Sequence, residues 1–144
     1  MMDTQIRELQ QRLHTAHTNF VRVAEALAPT LRNQAGVCGD WSPKEVVAHL
    51  TGWDGSLKQL IVDIENFNPP YDVDKFNACS VQARAEVAWD GVMAELTTNF
   101  VALTQALTIV EPKMKIYARV RSWLAGRIAD YELHTAQFDP WMTQ

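Results

Sequence analysis

The chain of 144 residues has no apolar run approaching the roughly 18 residues of a membrane span, and only two cysteines, Cys38 and Cys79. Two cysteines 41 residues apart, without metal-ligand spacing, neither define a disulfide framework nor exclude a bridge, and the simplest reading is two reduced thiols. Excess positive charge is also lacking: 13 basic against 17 acidic residues give a net charge of −4, which removes the basic field of a nonspecific nucleic-acid binder. Six glycines are too few and too scattered for a phosphate-cradling loop. Period-two strand patterns, internal repeats and low-complexity tracts are missing as well. MMDTQIRELQQRL, the opening, has no apolar signal-peptide core, so the expected location is the cytoplasm, with no membrane partner.

What is present is helical periodicity. Ile6, Leu9, Leu13, Ala16, Phe20, Val23, Ala24 and Leu27 recur at three- and four-residue steps, predicting a helix over 3–28 that Pro29 ends. Ser42, Pro43 and Glu45 spell a capping box, and Val46, Leu50, Trp53, Leu57, Leu60, Ile61 and Ile64 extend a helix over 43–66. Pro69 and Pro70 open a connection over 67–86 with a short helical turn at 74–85, anchored by Phe76 and Val81. Arg84 there reads as a surface residue or as one reaching in to a carboxylate. Further helices are expected over 87–107, with Trp89 closing the core, and over 120–137, with Trp123, Leu124, Ile128 and Tyr131 inward. A single domain spanning 1–144, built as an all-α four-helix bundle, accounts for this pattern.

Three residues carry the chemistry. Asp130 and His134 lie four apart, on one face of the last helix and about 6 Å apart along its axis. His49 flanks the apolar stripe of the second helix. Two ligands on one helix and a third on another would hold a metal with open positions, as catalytic sites do. Spacing alone leaves two readings, since an Asp–His pair at this spacing is also an ordinary helix-surface pair. Glu45, four before His49, is committed to the cap. His14 and His17 read as solvent-side and core-edge histidines. The basic stretch Lys113, Lys115, Arg119 and Arg121 could hold an anionic group of a substrate or be a solvated loop.

Three motifs in order add a resemblance. GDWSPKEVVAHLTGWD (39–54), VDKFNACSVQARAEVAWDGVMAEL (73–96) and WLAGRIADYELHTAQFDPW (123–141) resemble the DinB/YfiT-like four-helix-bundle superfamily, which includes ClbS/DfsB-like and mycothiol-dependent maleylpyruvate isomerase-like branches. The resemblance implies an up-down-down-up order with a long crossover between the second and third main helices. It also implies a divalent metal, zinc or nickel, on His49, Asp130 and His134. Asp130 stands where the common pattern has histidine, while the isomerase branch uses a carboxylate. The implied activity is metal-dependent addition of a thiol or water to a small electrophilic substrate, with a low-molecular-weight thiol as the further cofactor. Tyr131 and Tyr117 are candidate proton donors or packing tyrosines. The alternative is a non-catalytic bundle that binds a ligand or forms a homodimer around a vestigial site.

Overall fold

A computed structural model describes residues 2–144. It contains α1 (Thr4–Ala26), α2 (Pro43–Val62), α3 (Val73–Ala83), α4 (Trp89–Leu107) and α5 (Tyr117–Phe138), with short 3-10 turns at Pro29–Leu31, Ile64–Asn66 and Asp139–Thr143. Helix starts follow local chemistry. Ser42 Oγ accepts from the Glu45 amide (3.2 Å) and Glu45 Oε1 accepts from the Ser42 amide (3.1 Å), completing the capping box that fixes where α2 begins. Asp3 and Asp72 cap α1 and α3 singly, their carboxylates accepting from the Ile6 and Lys75 amides.

The bundle order is up-down-down-up, and cross-helix contacts give the directions. Tyr117 donates to Asp3 at one end of the α1–α5 pair, while Phe20 packs on Tyr131 and Phe138 further along, so these helices run parallel. Lys44 reaches the Ala85 carbonyl just before α4, and Asn99 reaches the Thr51 carbonyl, so α2 and α4 also run parallel. His49 meets Asp130 and Asp54 meets Arg127, so α2 and α5 are antiparallel. Parallel neighbours need a long return, which the 63–88 crossover carrying α3 supplies. Among the described residues, no helix is long and apolar enough to cross a membrane.

Differences from the sequence expectation are local. The second helix stops at Val62, and Ile64 is exposed rather than part of the stripe. The Asn66 side chain bonds the Asp63 carboxylate across a tight turn, which turns the chain before Pro69. Val87 precedes its helix and is exposed. In α3 the buried residue is Ser80, not Phe76 or Val81, because α3 sits on the rim of the bundle. Trp89 is buried as expected, under the Arg32 guanidinium.

Close approach of α3 to α2 depends on Gly52. A Cβ there would lie 2.2 Å from Ser80 Oγ and 2.8 Å from Ser80 Cβ. Gly52→Ala should therefore push α3 outward and cost about 1–3 kcal/mol, despite alanine's better helix propensity. A urea midpoint equal to or above that of the wild type would show that this contact yields freely.

Candidate metal centre

α2 and α5 bring His49, Asp130 and His134 together, with one potential ligand atom from each lying within 4.8 Å of the others. His49 Nε2 lies 3.0 Å from Asp130 Oδ2, and His134 Nε2 lies 3.0 Å from Asp130 Oδ1. Both imidazoles are buried, whereas the Asp130 side chain is 20% exposed and opens to a cleft. Trp41 packs over His49 with ring centroids 5.0 Å apart.

The outer nitrogens decide what the inner ones carry. Trp53 Nε1–H donates to Asn77 Oδ1 (2.7 Å), and indole nitrogen can only donate, so the Asn77 oxygen is fixed in place. His49 Nδ1 lies 2.9 Å from that same oxygen and must itself be the N–H donor. His134 Nδ1 lies 2.7 Å from Gln137 Oε1, an oxygen to which the ring can donate. With Nδ1 carrying the proton, each neutral ring presents an Nε2 lone pair toward a carboxylate that also only accepts. Three acceptors converge on one another. Such a cluster needs either added protons or a cation among its atoms. The donor set and the tied outer nitrogens fit a small divalent ion.

Behind the triad lies a buried ionic network. Arg127 Nη1 donates to Asp130 Oδ2 (2.7 Å), Nε to Asp54 Oδ1 (2.8 Å) and Nη2 to the Leu50 carbonyl (3.3 Å). Tyr131 donates to the other Asp54 oxygen. Burial works to raise the Asp130 pKa, yet bonds from His134 and His49 when their Nε2 atoms carry the protons, together with the Arg127 charge, hold it well below the usual carboxylate range. Burial likewise pushes Asp54 up, against the pull of Arg127 and Tyr131. Burial opposes the Arg127 charge, but the two carboxylates keep the guanidinium cationic. Asp130 is thus a fixed anion, held in orientation from behind.

Other candidates fall elsewhere. The Tyr131 hydroxyl is fully buried on Asp54 and Tyr117 is bonded to Asp3, so neither phenol is free to serve the cleft. Arg84 does reach a carboxylate, pairing both Glu95 oxygens at 2.8 and 3.0 Å. His17 stacks on Phe100 with centroids 3.7 Å apart, away from the triad, and His14 lies beside the same ring. Cys38 and Cys79 are free thiols. Trp123 is half-buried, packed against the edge of the core beside Trp53 and Phe67.

No family model matches the chain, and no curated protein matches it. Among solved structures, the crystal structure of an uncharacterised protein from Escherichia coli UTI89 is similar over 99% of this chain and 95% of that one, with a TM-score of 0.79 and 12% sequence identity. At that identity the likeness concerns the fold.

Asp54, Arg127 and Asn77 were missed by sequence reasoning. A signal for the first two existed. Asp54 falls between Leu50 and Leu57 on the apolar stripe of α2, and Arg127 between Leu124 and Tyr131 on that of α5. Opposite charges at core positions of two helices are expected to find each other.

Proposed function

We propose that the chain is a divalent-metal-dependent enzyme of the DinB/YfiT-like kind, with His49, Asp130 and His134 as ligands. The observation carrying this reading is the convergence of both Nε2 atoms on one carboxylate, each 3.0 Å from it, while Asn77 and Gln137 face the outer nitrogens. The fold and the order of the three sequence motifs support the family assignment. When bound, the ion would supply Lewis-acid chemistry, lowering the pKa of a water or thiol and polarising an electrophile. Asn77 and Gln137 hold the two imidazoles in the tautomer that presents Nε2. Arg127 holds the Asp130 carboxylate in its anionic form and in register with both rings. Trp53 and Trp123 form apolar walls of the cleft beside the triad. Addition of a thiol or water to a small electrophile is the activity this arrangement fits, with zinc or nickel as the metal and a low-molecular-weight thiol as co-substrate.

The test is metal content by mass spectrometry after exposure to zinc or nickel and desalting. About one ion per chain is expected for the wild type at pH 7.5, with almost none in His49→Ala or His134→Ala. Retention should fall steeply toward pH 5, because protons compete for Nε2. Equal metal content in wild type and His134→Ala would remove the reading.

The Arg127–Asp130 ion pair favours a second reading. A carboxylate already bonded to a guanidinium is a weaker ligand, and protons on both Nε2 atoms would satisfy the same geometry. The bundle would then bind a ligand without a metal, and the wild type would retain none.

A further inference from the structure

Beside the triad, α2, α3 and α5 enclose a cleft of about 330 Å³, lined by His49 and Asp130 at its inner end and by Trp53, Trp123, Val73 and Gly126 along its walls. A volume of this size suits a small organic molecule. Its exposed surface is mainly apolar, and Asn77, Ser122 and Arg127 line it as well. Gly126 is unusual within the lining. It lies inside α5, where glycine disfavours the helix, and a Cβ added there would meet no atom within 4 Å. Packing gives no reason for a glycine at this position. Open room in the cleft does.

Arg119 lies beyond the lining of the cleft, stacked on its wall residue Trp123. It lies one turn before Trp123 on α5, with its guanidinium carbon 5.8 Å from the Trp123 ring centroid and 5.2 Å from that of Phe67. Stacking on two rings positions the guanidinium while leaving its N–H edge for an anion. No carboxylate lies within ion-pair distance of it among the described residues. Of its basic neighbours, Lys113 pairs with Glu111 and Arg121 lies over the Tyr117 ring, while Lys115 is exposed to solvent. Arg119, Trp123, Gly126 and Asp130 follow three- and four-residue steps on one face of α5, spanning about 16 Å between the end Cα atoms.

We infer that the cleft binds a small aromatic carboxylic acid, with its ring against Trp53 and Trp123 over Gly126 and its carboxylate on Arg119. The outer two-thirds of this site stand alone, and only the delivery of the inner end to the triad rests on the metal reading. The acid's far end, directed at His49 and Asp130, is where a reacting group would lie.

The experiment titrates 3-phenylpropanoate and its uncharged counterpart, 3-phenylpropanamide, into zinc-treated and chelator-treated protein by calorimetry. The wild type should bind the acid about tenfold tighter than the amide, the effect of one charge-assisted contact. Arg119→Gln should erase that preference while leaving amide affinity in place. Gly126→Leu should weaken both probes at least about tenfold by filling the cleft. Gly126→Ala, which favours the helix, should weaken them less and guards against misfolding of the larger variant. Equal affinity for acid and amide in the wild type, survival of the preference in Arg119→Gln, or unchanged binding by both Gly126 variants would each overturn the inference. Zinc content, measured in parallel, separates the two failures. Absence of zinc with the expected probe preferences would sink the metal reading alone, and retained zinc without a preference would sink the acid site alone.

Discussion

Replacing Arg127 with methionine is expected to lower stability by about 3–5 kcal/mol at pH 7, because it strips the counter-charge from a carboxylate with no solvent access. Asp54 is 0% exposed, and its partners are Arg127 and the Tyr131 hydroxyl. Methionine fills much of the arginine's volume, so the loss is electrostatic rather than a cavity. The urea midpoint should drop by roughly 2 M. The sign with pH follows from Asp54. Without Arg127 its folded pKa rises further above the unfolded value, so the deficit is full at neutral pH and shrinks as pH falls toward 4. Adding Asp54→Asn to the variant should restore a large part of the loss, since a neutral amide is far cheaper to bury. A double variant no more stable than Arg127→Met would mean that the pair is not the source.

Acid should destabilise the protein through a different residue, His17, by about 3 kcal/mol between pH 6.5 and 4. Burial, with a smaller effect from His14, lowers its pKa from 6.5 to about 4, and its Nδ1 has no hydrogen-bond partner. The unfolded chain takes up the proton first, so stability is full above pH 6.5 and declines as pH falls to 4. His17→Phe keeps a flat ring on Phe100 and removes the proton. At pH 5 it should bind about one proton fewer on unfolding than the wild type does. Identical stability–pH slopes for the two proteins would show that His17 is not the titrating group.

Much of this architecture was legible in the sequence, for physical reasons that differ by element. The start of α2 could be read because a capping box is local, written within four residues. The meeting of His49 with Asp130 and His134 could not be derived from spacing, which places residues on faces but not faces against each other; the resemblance supplied that step. Arg127 and Asp54 went unread because charged residues default to the surface. Their burial is decided by a pairing across α2 and α5 that neither helix reveals alone. Asn77 was hidden in a different way. Its significance comes from the docking of α3, which rests on the Gly52–Ser80 contact and has no periodic signature.

The Trp53–Asn77–His49 chain gives α3 a part in the site out of proportion to its burial. One residue of that helix is buried, Ser80, yet Asn77 sets which nitrogen of His49 faces Asp130. If α3 lifts, the imidazole is free to change tautomer or turn, and the triad loses a member without any change in α2 or α5. Docking of the crossover and readiness of the site are therefore one equilibrium, and anything that requires His49 Nε2 must draw α3 closed. The backbone amides of 73–83 would exchange with solvent more slowly when the triad is engaged.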